Sequence, residues 1–165
     1  MRSIHETGVV ADERHQVERL DFARSGKYIT FQISGKYFAL PVDCVREIMP
    51  MQPLLRWAVE TLGVLGAVQS RGCIIPIFDL RSELHLKGRG SSRGKSLILV
   101  KSHAEAQFGF AVDKITDHLQ VHAHEIRAAT IIGHGRVRTI LSAEALIPQD
   151  RLFEAVFSRS SISSL

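Results

Sequence analysis

Residues 66–81 read GAVQSRGCIIPIFDLR. The pair Arg71-Gly72 sits between two apolar runs, and the downstream run, Cys73 to Phe78, is short, rich in β-formers and closed by Asp79. Gly72 permits positive φ, so the pair predicts a sharp turn into a strand. Arg71 is then held at a strand mouth rather than on a flexible loop. A guanidinium fixed in that way suits a carboxylate or carbonyl of a partner.

Working outward, short strands dominate. Ile29, Phe31 and Ile33 alternate with Thr30 and Gln32, the pattern of a half-buried strand. Ser34-Gly35 is a two-residue hairpin signal, and Lys36–Leu40 is the returning strand. After Pro41, residues Val42, Val45, Ile48 and Met49 fall three or four apart, which predicts a short helix ended by Pro50. A second short helix is expected around Trp57–Leu62. Further strands are expected at Ser96–Ser102, Gln107–Asp113, Lys114–His124 and Val137–Leu141. His103–Ala106 reads as a hairpin tip, Ser142 as the N-cap of a helical turn over Ala143–Ile147, and the basic, glycine-rich stretch 87–95 as a loop. The expected core holds Ile29, Phe31, Ile33, Leu40, Ile75, Ile77, Leu99, Phe110 and Val112.

This gives three parts: a polar N-terminal extension over 1–25, a domain over 26–150, and a C-terminal amphipathic helix and tail over 151–165, with Phe153 and Phe157 spaced to pack on the body. The extension leaves open disorder or a short helix around Arg14–Phe22. Many short strands at close spacing point to small barrels rather than an open parallel sheet. Two similar hairpin starts suggest two lobes, roughly 27–80 and 96–141.

Composition excludes several classes. In 165 residues there are two cysteines, Cys44 and Cys73, and no CxxC, so no disulfide framework is expected and both read as buried reduced thiols. No apolar run is long enough for a membrane span, and the N-terminus has no apolar core of a secretory signal. The net charge of +4 reads as general solubility. Nucleic-acid binding would want clustered Lys and Arg with interleaved aromatics; Tyr28, Phe31, Tyr37 and Phe38 are candidates, but three of them sit where a core is expected. No nucleophile elbow, metalloprotease helix or phosphate loop occurs. His118, His122 and His124 would share one face of a strand, as zinc ligands or simply as a polar outer face. On spacing alone, Glu47 reads as a solvated charge at a helix end.

The stretch around Arg71 resembles the G-V-x-N-x-R-G-x-x-x-P-[IV]-x-D-L-R signature of the CheW family of chemotaxis coupling proteins. Gly66, Arg71, Gly72, Pro76, Asp79, Leu80 and Arg81 match it, while Gln69-Ser70 stands where Asn-Leu is usual. Val45-Arg46-Glu47-Ile48 resembles the family's V-x-E-[IV] motif, and Gly109–Ile115 its G-[IL]-x-V-D-x-[VI] segment. The resemblance runs from about Tyr28 to Ile147. It implies an all-β fold with short helices, in which two five-stranded SH3-like barrel lobes share an apolar core. It implies a cytoplasmic adaptor without enzymatic activity or cofactor, working at membrane-bound receptor arrays without inserting into the membrane. The implied partners are a CheA-type histidine kinase and the cytoplasmic tips of methyl-accepting chemoreceptors. An adaptor of another chemosensory array, such as one for type IV pilus twitching, is the alternative within the family, and a basic nucleic-acid-binding barrel the alternative outside it. The partner-binding residues implied are Val45, Glu47, Ile48, Gly66, Arg71 and Gly72, with Glu47 paired to Arg71. The segment Arg127–Arg138 is shorter than the family's usual one, so a lost strand and a less stable second lobe are expected there.

Overall fold

The computed structural model describes residues 24–57, 63–86, 94–102 and 106–147. The helices expected over Arg14–Phe22 and 151–157, most of the one at Trp57–Leu62, the basic loop up to residue 93 and the tip at 103–105 lie outside the described residues.

The strands are β1 (Gly26–Ile33), β2 (Lys36–Pro41), β3 (Val45–Pro50), β4 (Val64–Ser70), β5 (Cys73–Phe78), β6 (Ser96–Lys101), β7 (Gln107–Val112), β8 (Lys114–Val121), β9 (Ile126–Arg127), β10 (Thr130–Gly133) and β11 (Arg136–Ile140), followed by one turn of helix, α1 (Ala143–Leu146). They form a six-stranded sheet in the order β8-β1-β2-β11-β10-β9 and a five-stranded sheet in the order β3-β6-β7-β5-β4. The architecture is the expected one, all-β with short helices, except that one sheet has six strands rather than five.

The lobes are not contiguous in sequence. The chain makes β1 and β2, crosses to build the whole five-stranded sheet from β3 to β7, then returns for β8 to β11. The expected boundary between residues 80 and 96 is therefore wrong, because β6 and β7 pair with each other and with β3 and β5. The basis for a less stable 96–141 lobe goes with it. Nor is a strand missing from Arg127–Arg138. The segment holds the end of β9, all of β10 and the start of β11, with His134 and Gly135 at positive φ making the two-residue turn between β10 and β11.

Each sheet has its own interior and the two share a third core. Tyr28, Ala39, Val121, Ile131 and Ile140 fill the six-stranded side. Val68, Ile75, Ile77, Leu97 and Leu99 fill the five-stranded side. Between them lie Phe31, Ile33, Phe38 and Leu40 from one sheet, Phe78, Ile98, Val100, Phe108, Phe110 and Val112 from the other, and Leu141, Ala143, Leu146 and Ile147 from the C-terminal turn. Strands that serve two cores are apolar on both faces, which is why β6 carries the unbroken run Leu97-Ile98-Leu99-Val100. The same holds for β1, so the half-buried reading of that strand is corrected. Thr30 is also buried, its hydroxyl 2.7 Å from the Thr116 hydroxyl on β8. All nine residues expected in the core are buried.

The helix expected from Val42 to Met49 is a 3₁₀ turn, Val42–Cys44, followed by strand β3. A register shift between Val45 and Glu47 makes Arg46 the bulged residue. The bulge puts Val45 and Ile48, three apart, both against the shared core. That spacing imitates helical periodicity. Ser142 stands at the N-cap of α1, but its side chain makes no capping bond.

The end of the signature is an anchor. Arg81 Nη2 lies 2.6 Å from Asp79 Oδ2, and the Arg81 backbone N–H and Nε each reach Asp79 Oδ1 at 3.0 Å. Leu80 between them is buried in the shared core. The Arg81 guanidinium holds the Asp79 carboxyl below the usual carboxylate range. A depressed carboxyl contributes stability above its unfolded value, about 3.9, and loses it as pH falls through the folded value. Asp79→Asn should therefore lower thermal stability near neutrality by about 1 kcal/mol or less. The wild-type advantage should vanish in an acid titration below pH ~3.9. An advantage that persisted through the acid limb would assign it to something other than the charge.

Candidate functional site

The signature hairpin joins β4 to β5 in an antiparallel ladder from Val64↔Phe78 to Ser70↔Cys73. Its tip is Arg71-Gly72 alone, with φ +49 and +76. Both residues are exposed. Glycine fits here because two successive positive φ values define the tight hairpin turn. The tip is carried on the paired strands β4 and β5, whose Ser70 is buried and Cys73 half-buried next to it.

Behind the tip the five-stranded sheet closes on itself. The segment after β3 crosses to the free edge of β4, where Leu55 N–H donates to the Ala67 carbonyl at 2.7 Å and Ala67 N–H to the Leu55 carbonyl at 2.9 Å. The crossing passes directly over Gly66. A Cβ there would stand 2.7 Å from the Leu55 carbonyl oxygen and 2.8 Å from Leu54 Cβ. Gly66 is itself buried, covered by Leu54 and Leu55.

Closure brings Glu47 of β3 to Ser70 of β4. Ser70 Oγ donates to Glu47 Oε2 at 2.6 Å. The expected pair between Glu47 and Arg71 does not form; the Glu47 carboxylate accepts instead from the hydroxyl one residue before the arginine. Among the described residues Arg46, Arg56 and Arg71 have no ion-pair partner. Val45 and Ile48 are partly buried against the shared core rather than forming an open patch.

The apolar face of the sheet runs outward toward the tip. Residues paired across strands share a face, so Pro76, Ala67 and Leu55 form one row, continuing from Phe108 at the shared core. The row ends on Leu55, 48 % exposed, and the next row carries Ile74, 36 % exposed, opposite Gln69. Leu55 and Ile74 were not anticipated as site residues. Their signal lay in the pairing of Leu55 with Ala67, which connects segments that no local pattern relates.

Other expectations resolve simply. Asp113 at the exit of β7 accepts the Ser34 N–H at 2.7 Å, a strand-end carboxylate capping the β1–β2 turn. The histidines do not share a strand face, since β8 ends at Val121. His122 and His124 flank Ala123 at the following 3₁₀ turn, with rings stacked 5.8 Å apart, and Glu125 there accepts the His122 N–H and pairs with His134 at 2.9 Å. Among the described residues no group of His, Cys, Asp and Glu is arranged to hold a metal. The cysteines are half-buried rather than buried. Burial pushes the Cys44 thiol up to about 11, so it is protonated near neutrality. No helix among the described residues is long and apolar enough to cross a membrane.

The fold and the site define a class: a two-sheet β protein whose β4–β5 hairpin ends in exposed Arg71 and Gly72, with exposed Ile74 on the same hairpin and exposed Leu55 on the segment paired to it. Residues 27–153 match the CheW-like domain, and the chain belongs to that family. It is 29 % identical over 103 residues to the chemotaxis protein CheW of Bacillus subtilis, a match covering 62 % of this chain and 65 % of the relative. It is 27 % identical over 99 residues to the chemotaxis protein CheW of Rhizobium meliloti, covering 60 % and 63 %. The matched span is thus just under two thirds of those curated relatives. Among solved structures, the scaffolding protein TtCheW from Thermoanaerobacter tengcongensis has the same fold, with a TM-score of 0.65 at 18 % identity over 74 % of this chain and 92 % of that one.

Proposed function

We propose that this chain is a non-enzymatic adaptor that couples the cytoplasmic tips of chemoreceptors to a CheA-type histidine kinase in bacterial chemotaxis. Membership of the CheW-like family supports the class. The observation that carries the reading is the exposed, two-residue Arg71-Gly72 turn on the hairpin that also exposes Ile74, with Leu55 exposed on the segment paired to β4. An amphipathic receptor helix lays apolar positions into such a ledge and offers a carboxylate to the guanidinium. The surface is modest, in keeping with transient signalling contacts that bury less than ~1,200 Å². An adaptor of another array, such as one for type IV pilus twitching, would use the same surface, and the kinase recovered with the chain names the array. The nucleic-acid alternative loses its support, because Tyr28, Phe31 and Phe38 are buried and Tyr37 is covered by Arg136, 4.4 Å from the ring centroid.

The test is a pull-down from bacterial lysate with the purified chain. Recovery of a chemoreceptor together with a histidine kinase is the expected result; recovery of neither overturns the reading. At the residue level, Arg71→Ala should leave thermal stability nearly unchanged, since the side chain is exposed and has no ion-pair partner among the described residues. It should weaken partner binding by about 2 kcal/mol, the scale of an interface arginine. A large stability loss with unchanged affinity would make Arg71 a folding residue instead.

A further inference from the structure

We infer that the β10–β11 hairpin is the movable edge of the six-stranded sheet, released by Arg138, a cation buried inside that sheet without full pairing, and latched by Asp117 on β8. Opening of the hairpin carries the guanidinium to water and uncovers the interior around Tyr28 and Val121.

Arg138 is 2 % exposed. It stands opposite Ile131 in the hairpin and two residues before Ile140, and both of those lie in the interior of the sheet. Its Nη1 reaches the carbonyls of Gly133 and Arg136, each at 3.4 Å, and its Nη2 lies 3.6 Å from Asp117 Oδ2. Its Nε is buried with no hydrogen-bond partner among the described residues. Charge-assisted bonds run about 2.7–2.9 Å, so none of these contacts is a close one. Arg81 shows the same edge of a guanidinium fully paired: its Nε and Nη2 reach Asp79 at 3.0 and 2.6 Å. A buried cation with long and missing partners destabilises the state that buries it.

The contacts also divide by direction. Gly133 and Arg136 belong to the hairpin and move with it, so only Asp117, itself exposed, holds the guanidinium to another part of the sheet. The backbone attachment is short on both flanks. β11 pairs with β2 at Thr139↔Phe38 and Ile140↔Ala39, extended by the Leu141 N–H donating to the Ala39 carbonyl, and β10 pairs with β9 at Thr130↔Arg127 and Ile131↔Ile126. β1, by contrast, is paired with β2 from Tyr28 to Ile33 and with β8 from Gly26 to Gln32. The His134–Glu125 pair ties the hairpin turn to the segment leading into β9, not to β2 or β8. Ile131 and Ile140 supply the apolar hold. Segments with a thin attachment open before the whole domain unfolds, and here the thin attachment and the underpaired cation fall on one hairpin.

The experiment is native-state hydrogen exchange on the full chain, read by mass spectrometry as protection of residues 130–140 relative to the β6–β7 amides. Where reclosing is fast, the rate reports the open population. In the unaltered chain the hairpin should exchange faster than β1 and than β6–β7; equal protection would overturn the inference. Arg138→Leu should slow hairpin exchange roughly ten-fold or more, because an apolar side chain in place of a buried, poorly paired charge is commonly stabilising, and exposed Asp117 stays solvated. Asp117→Asn should speed it roughly two- to five-fold, the scale of a partly exposed ion pair. In the Arg138→Leu background the same Asp117→Asn change should do nothing, since the latch has lost its partner. Hairpin exchange as fast in Arg138→Leu as in wild type would overturn the inference. So would an Asp117→Asn effect that is absent, or equal in both backgrounds. Should Arg138→Leu not fold, Arg138→Met, unbranched and adaptable in a core, takes its place in the same cycle and is read the same way.

Discussion

Phe110→Ala is expected to destabilise the chain by ~3–5 kcal/mol, the scale for emptying a buried aromatic site. Phe110 is fully buried on β7, and its ring centroid lies 5.6 Å from that of Phe31 on β1. Phe31 in turn stacks on Phe38 of β2 at 6.0 Å. The truncation therefore removes the central contact between the two sheets, not only a filler of one. Chemical denaturation should show a lower midpoint with an unchanged slope, and the melting temperature should fall by roughly 10 °C or more. The fitting control is Ile74→Ala, on the same face of the same sheet but exposed, which should stay within about 0.5 kcal/mol of wild type. If Phe110→Ala behaved like the control, the shared core would not be what joins the sheets.

Much of this core was legible in the sequence because alternation is a local property. Ile29, Phe31 and Ile33, the Ser34-Gly35 turn and the strand Cys73–Phe78 each announce themselves within a few residues. What failed was also local in form but set by distant pairing. Val45 and Ile48 looked helical because a bulge at Arg46 gives a strand the spacing of a helix turn, and the bulge exists only through pairing with β6. The lobes looked contiguous because nothing in a strand says which sheet it will join. The site divides in the same way. Arg71 and Gly72 were readable as a tip, since a positive-φ pair needs no distant partner. The Glu47–Ser70 bond joins residues 23 apart across the closing seam, so the fate of Glu47 could not be read from its neighbours.

Gly66→Ala is expected to have the other large effect, and it tests that seam directly. Gly66 has φ +155, where side chains are rarely accommodated, and the added Cβ would meet the Leu55 carbonyl oxygen and Leu54 Cβ below 3 Å. Neither atom lies at the end of a flexible side chain, so the crossing segment itself must move. Overpacking costs about 1–3 kcal/mol, and the strained backbone adds about 1–3 kcal/mol. The displaced carbonyl is the one that accepts the Ala67 N–H, so the bridge that closes the five-stranded sheet weakens as well. Gly72→Ala provides the contrast. Its φ of +76 carries the left-handed cost, about 1–2 kcal/mol, but no atom lies within 4 Å of the added Cβ. Denaturation midpoints should therefore rank wild type above Gly72→Ala and both above Gly66→Ala. Hydrogen exchange should locate the Gly66→Ala loss at the Leu55 and Ala67 amides. Equal costs for the two alanines would mean that backbone conformation alone requires the glycines, and that the Leu54–Leu55 crossing does not hold the floor of the docking ledge.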